Sequence, residues 1–352
     1  MTPVQTFRTQ PRKIIGPNPI YNLCLFKRLL FLFLYPILTE TKHAHSYARM
    51  DKFSSFSKCY FYHAFMRWNT LISKRKVKKY PYLSLGIIHF IMVFFTFYKS
   101  KNRKRSFILF LSYTGFAYLF EYFVVILNRG YVYRPKFLRE KNLDHIFGSI
   151  WSQFFYVPTT ALFISSFKLG WKVKVFFSFY FFCIERLFIS LGIFKTRWWK
   201  TGYTFLLILV SFFANDLWVK LFNQRNPFVL WVPFFQTIQV TWMNISFLLA
   251  ALKKIRYGPM AFRSWEKHFI VGPAVGMVIS LLITWQLFRD GIVGKIRSFF
   301  LMLFVDSFLI KQGLLKVKKG FFLPVSYSLI LATGNLFHRW IYQTPEIEKR
   351  QP

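Results

Sequence analysis

The sequence predicts an all-α fold, a polytopic bundle of transmembrane helices with eight or nine spans and no soluble globular domain. Three observations carry that expectation. The chain of 352 residues is 54% hydrophobic yet has a formal net charge of +37, and the two properties are separated by segment instead of being mixed. Apolar runs of about 20 residues alternate with short basic gaps, and that length suits a helix rising 1.5 Å per residue through about 30 Å of hydrocarbon. Barrel strands would alternate polar and apolar residues over about ten positions, a pattern absent here. Phe supplies 48 residues and Asp plus Glu only 12, so the place of each acid is informative.

Residues 1–81 read as a basic leader, poorly structured or interfacial. Its one apolar run, Leu29 to Leu38, is broken by Pro36 and is too short to span. The run follows Lys27 and Arg28, which leaves an interfacial segment, a weak signal-like segment and an organellar transit peptide open. Met50 and Met66 are alternative starts of translation. The bundle occupies 82–342, and 343–352 form a short polar tail.

The spans read 82–98, 106–127, 145–167, 175–194, 203–222, 228–251, 268–288, 298–314 and 321–341. Length decides for helix, because periodicity is silent in all-apolar runs. The 298–314 span is the weakest, interrupted by Asp306 and Lys311, which leaves eight as the alternative to nine. Pro158, Pro233, Pro273 and Pro324 lie inside spans and are expected to kink them. Trp198, Trp199, Trp218, Trp265, Trp285 and Trp340 gather near span ends, as an interfacial belt does. Lys and Arg are more numerous in the gaps on the side of the N-terminus, which favours a cytoplasmic N-terminus, although Lys99 to Arg105 crowd the opposite side.

Charge inside a span costs at least about 2.5 kcal/mol, so each intramembrane acid must be paired, neutral or facing a watery cavity. Four qualify: Glu121, Glu185, Asp216 and Asp306. Each is either polar glue between helices or part of a relay or binding site. Glu185 is the strongest functional candidate, lying mid-span with its neighbour Arg186 pointing about 100° away around the helix. The 203–222 span carries Thr204, Ser211, Asn215 and Trp218 on one stripe. The 228–251 span carries Gln236, Thr237, Gln239, Thr241 and Asn244. Helices this polar face each other or a cavity, which places them at the bundle centre with the helix of Glu185. Asp144 reads as a helix cap at the start of its span. His145 beside it has a side chain that titrates near neutral pH, and Gln153 stands two turns further in.

Cys24, Cys59 and Cys183 show no metal or redox spacing, and no metal or cofactor is expected. The chain lacks GxxxxGK[ST], GxGxxG, GxSxG and HExxH, which disfavours ATPases, dehydrogenases, serine hydrolases and zinc proteases. The basic gaps suit anionic lipid headgroups better than nucleic acid, and no nucleic-acid partner is expected. A membrane-protein partner or homo-oligomer is left open. An inverted repeat would favour a transporter, and the echo of Asn215–Trp218 in Asn335–Trp340 is too slight to establish one.

From about Glu121 to Leu221 the order of features resembles a family of uncharacterised multi-pass membrane proteins of endospore-forming Gram-positive bacteria. The positions that carry the resemblance are Asp144, Gly148, Pro158, Glu185, Leu187, Phe188, Trp199, Tyr203 and Thr204. It implies a bacterial plasma-membrane protein sharing four or five of these helices, and it implies no activity. Two functions therefore stand side by side. The first is a non-enzymatic membrane protein with a transporter-like, sensory or envelope-assembly role for its buried carboxylates. The alternative is an intramembrane enzyme acting on a lipid, with Glu185 and Asp216 as catalytic acid and base, which requires both in one cavity.

Overall fold

The computed structural model describes residues 79–259, 264–289 and 291–342. The leader's apolar run, its alternative start sites and the 343–352 tail lie outside the described residues.

The first helix, α1, is Tyr80–Lys99, and α2 is Arg103–Glu121, continued by a π-helical turn Tyr122–Leu127. Strand β1, Tyr131–Tyr133, leads to α3, Lys141–Ile150, which passes through a second π-turn, Trp151–Tyr156, into α4, Val157–Ser166. Then come α5 (Trp171–Ser190), β2 (Phe194–Thr196), α6 (Thr201–Asn223) and α7 (Pro227–Ala251). The remainder is β3 (Ile255–Tyr257), α8 (Trp265–Arg289), α9 (Gly291–Lys311), β4 (Leu315–Val317) and α10 (Phe322–Tyr342). With α3 and α4 joined through their π-turn, the described residues form nine helical rods.

Four of these are long and apolar enough to cross a membrane: Tyr80–Lys99, Arg103–Leu127, Thr201–Asn223 and Trp265–Arg289. Around a hydrophobic core, polar residues are buried and large apolar ones exposed to a degree unusual for a soluble bundle. Gln236, Thr237, Gln239, Ser280 and Thr284 are buried, while Phe90, Phe94 and Phe304 are 62%, 66% and 70% exposed. Apolar surface on that scale is compatible with a membrane protein.

Helix boundaries follow local chemistry. Asn102 caps α2 by accepting from the Arg105 N–H at 3.0 Å. Asn226 caps α7 by accepting from Phe228 N–H, with Pro227 in the first turn, where it costs no hydrogen bond. Two boundaries differ from expectation. The third rod begins at Lys141, so Asp144 already lies in its first turn and is no N-cap. Its carboxylate instead accepts from the backbone N–H groups of Lys136 and Leu138, at 2.9 and 2.8 Å. Asp144 therefore ties down the loop before the helix, taking up two backbone donors of that loop. The expected 298–314 span is also shifted, to Gly291–Lys311.

The chain repeats itself. The series α2, β1, α3–α4, α5, β2, α6 has the same order as α7, β3, α8, α9, β4, α10. Strands β1 and β2 pair antiparallel, as do β3 and β4, three residues each. The Arg134 N–H donates to Ile193 O at 2.8 Å, and Gly258 N–H to Leu314 O at 2.8 Å. Left-handed residues recur in pairs: Arg129 and Lys253 (φ 52° and 57°), Lys168 and Gly291 (49° and 51°), Gly192 and Gly313 (67° and 69°). His145 Nδ1 accepts the Tyr133 N–H at 3.1 Å, and His268 Nδ1 accepts the Tyr257 N–H at 2.9 Å. Each half thus closes its strand onto its next helix with the same latch. Four rods joined by short connections return the chain to its starting side, so the two halves run in parallel and are not inverted.

The halves meet along α2 and α7, the most extensive helix pairing in the described residues. Matching positions touch there. The Ser112 hydroxyl donates to Gln236 Oε1, and a Cβ on Gly115 would lie 2.7 Å from Gln236 Cβ. Only glycine allows that approach. Helix α1 has no counterpart in the second half and packs on α4 and the second π-turn.

Candidate functional site

Between α1 and the rods of the first half (α2, α3–α4, α5 and α6) lies a partly open cavity of about 290 Å³. Its wall is rich in aromatic rings: Tyr82, Tyr113, Phe116, Tyr133 and Tyr156 contribute from the α1–α4 side, and Phe181, Phe188 and Trp199 from the opposite side. Helix α6 lines it at Thr204, Leu207, Ile208, Ser211 and Asn215, the 3- and 4-residue spacing of one helical face. The polar stripe expected on this span thus faces a cavity.

Glu185 projects into the space from α5 and is 8% exposed. Its Oε2 accepts from the Thr204 hydroxyl, which in turn accepts from Trp199 Nε1 at 2.9 Å. The Thr201 hydroxyl and the Trp199 indole N–H also stand beside the carboxylate as hydrogen-bond donors, and Arg186 adds a favourable charge. No donor meets Oε1 in hydrogen-bonding geometry, and among the described residues it is the one buried carboxyl oxygen in that state. The Tyr82 hydroxyl, on the cavity wall, is also without a partner. Buried polar atoms are nearly always satisfied, so two residues of one cavity wall that each keep a buried, unpartnered oxygen single this cavity out.

The other acids are occupied. Glu121 accepts from Tyr131 Oη at 2.7 Å, Ser149 Oγ at 2.8 Å and Gln153 Nε2 at 3.0 Å. It ends α2 where the first π-turn begins, and Gln153 lies in the second π-turn. These turns each insert a residue into the helical register, and such insertions favour functional sites. Burial first, and then the Glu121 carboxylate, pushes the Tyr131 phenol well above its usual range, so it stays a neutral donor. Asp306 accepts from Tyr327 and, at a long 3.5 Å, from Tyr257. Asp216 pairs with Lys174, whose side chain is 4% exposed against 42% for the acid.

That pairing disposes of the expected catalytic pair. Asp216 lies 12 residues beyond Thr204 on the same helix, roughly 18 Å along the axis. Asn215 reaches the cavity, but Asp216 points away to Lys174. Glu185 and Asp216 therefore do not share the space that acid–base work requires.

The remaining polar candidates sit at the interface of the halves. Gln236 binds Ser112, and Asn244 accepts from Tyr118 Oη at 2.9 Å while donating to Val240 O. Gln239 is fully buried, with neither amide atom partnered. A second, smaller cavity of about 80 Å³ lies behind Glu121, against Trp242 and His268. His145 is a structural acceptor for Tyr133 N–H and takes no part in the larger cavity. No group of three or more His, Cys, Asp or Glu residues that could hold a metal ion occurs among the described residues.

The cavity's tyrosines were not singled out from sequence, because Tyr in an apolar span reads as filler. Comparison with known protein families, with curated proteins and with solved structures gives no match.

Proposed function

We propose that the chain is a multi-pass plasma-membrane protein of nine crossings. In this reading its first half binds a small, largely apolar molecule bearing one cationic or hydrogen-bond-donor group, as a carrier or sensor does. The observation that carries this is Glu185, a carboxyl with its Oε1 unpartnered, on the wall of an aromatic-rich cavity of about 290 Å³. A volume near the low end of small-molecule sites suits a ligand of about ten heavy atoms. A carboxylate supplies the counter-charge, and ring faces attract a cation by their quadrupoles, by about 0.5–2 kcal/mol for each good contact.

Both small sheets fall on the face that also holds the start of α1. This face bears Lys195, Arg197, Arg256, Lys316 and Lys318, and the positive-inside rule makes it cytoplasmic. The same residues suit anionic headgroups. An enzymatic role draws no support from the site, since the carboxylate stands alone.

The test is isothermal titration of the detergent-purified full chain with monoamines from butylamine to 2-cyclohexylethylamine and 2-phenylethylamine. Saturable binding of at least one amine, lost in Glu185→Gln, supports the reading. If no amine binds, or if the Gln variant binds equally well, the reading is wrong.

A further inference from the structure

We infer that the ligand of the first-half cavity carries an aromatic ring beside its donor group, because the second half fills the matching space with a phenol of its own. This rests on reading the cavity as a ligand site.

Glu185 and Asp306 occupy the same position, equally far ahead of the strands that start at Phe194 and Leu315. In each half one residue of the last helix donates to that acid: Thr204 to Glu185, Tyr327 to Asp306. From there the two helices keep step. Thr204, Leu207, Ile208 and Ser211 line the first-half cavity. Tyr327, Ile330, Leu331 and Gly334, at identical spacing, are all buried.

The packing differs accordingly. A Cβ on Gly334 would lie 3.1 Å from Leu287 Cδ1, whereas Ser211 faces open space. Helix α10 buries a full face against α7, while α6 buries only Phe212 and Phe222. The second half is therefore the filled form of the first. Tyr327 brings a ring and a hydroxyl to the acid, and Tyr257 reaches its other oxygen. In the first half Thr204 keeps the hydroxyl but lacks the ring. Tyr133, in the place of Tyr257, leaves Oε1 of Glu185 unpartnered. What is missing from the first half is one aromatic ring and one donor to Oε1, and a ligand that completes the set supplies both.

Calorimetric titration with 2-phenylethylamine and 2-cyclohexylethylamine isolates the ring, since the two share a carbon skeleton and an ammonium group. The aromatic amine is expected to bind up to about tenfold more tightly, from ring–ring contacts that the cyclohexyl amine cannot make. Thr204→Tyr, checked for folding by its melting curve, should lose 2-phenylethylamine binding, its new phenol occupying the space. Tyr327→Thr should raise the stoichiometry from one amine per chain to two. Equal or tighter binding of the cyclohexyl amine overturns this inference while leaving a Glu185 ligand site intact. Absence of binding by either amine, and by the shorter ones, overturns both. The ranking of the two amines on the wild-type chain decides the matter whether or not a variant folds.

Discussion

Glu185→Gln separates a binding residue from a structural one. As a carboxylate, Glu185 bears a burial cost of about 2.5–3.5 kcal/mol at span depth. Against that stands the Thr204 bond, worth about 1.5–3 kcal/mol to a charged acceptor. Gln keeps the shape and still accepts from Thr204, at the neutral value of about 0.5–1.5 kcal/mol. No salt bridge is lost, since among the described residues no cation lies within ion-pair distance of Glu185. The substitution should therefore leave stability unchanged or raise it by about 1 kcal/mol, roughly 2 °C in melting temperature for a chain of this size. Asp216→Asn and Glu121→Gln are the comparators. The first strands Lys174, 4% exposed, without its counter-charge, at a cost of about 3–5 kcal/mol. The second replaces one of the two carboxyl oxygens by an amide N–H₂, which then meets either the Ser149 donor or those of Tyr131 and Gln153, at about 1–3 kcal/mol. Melting curves in one detergent, followed by tryptophan fluorescence, give the order Glu185→Gln at or above wild type, then Glu121→Gln, then Asp216→Asn. A fall of several degrees for Glu185→Gln alone would refute the reasoning, because Glu185 would then be holding helices together and not waiting for a ligand.

Three other outcomes follow from the repeat. His145→Ala and His268→Ala should each destabilise by about 1–3 kcal/mol, since each leaves a strand N–H without its acceptor; matched losses in denaturant titrations support equivalent latches. Gly115→Leu should cost about 1–3 kcal/mol or more by pushing α2 off Gln236, seen as a lowered melting temperature, whereas Gly202→Ala, with nothing within 4 Å, should be near neutral. In a chain whose three native cysteines are replaced by Ser, Cys at positions 195 and 316 should react with an impermeant maleimide from one face of intact membrane vesicles, and Cys at 101 and 220 from the other. Labelling of 195 and 316 from opposite faces would remove the parallel arrangement.

The rods were legible because lipid-facing surface and basic gaps leave a one-dimensional trace, and all nine expected apolar runs coincide with rods of the structure. Four of the rods are long and apolar enough to cross a membrane. Trp171–Ser190 carries Lys172, Lys174, Glu185 and Arg186, and Gly291–Lys311 carries four charges of its own. The buried acids stood out in the sequence, but their partners did not. Nothing in the spacing joins Lys174 to Asp216 or Glu121 to Gln153, since those contacts are made between helices. Asp144 looks like a cap in the sequence because the apolar run starts at His145, one turn after the helix itself begins at Lys141. The duplication was hidden by divergence in the rods, where any apolar residue serves. Its trace survives where geometry is demanding, as in Gly192-Ile193-Phe194-Lys195-Thr196 against Gly313-Leu314-Leu315-Lys316-Val317. There a left-handed glycine ends the helix before each strand, and few other residues adopt that conformation cheaply.

Two copies of one fold that differ at the same position form an internal control. Both keep an acid in a span, which costs energy in either half. The second half offsets that cost from within by Tyr327 and Tyr257, and its last helix packs down. The first half keeps Thr204, leaves an oxygen and a cavity open, and holds its last helix largely off the core. It also carries both π-turns and, in Glu121, a second buried acid with no match in the other half, where Ile245 holds that place. Folding alone would favour the filled arrangement in both copies, since a single Thr→Tyr change at 204 reproduces its key contact. That the first copy remains open, and is the more elaborate of the two, argues that the open space around Glu185 is what this half supplies to function.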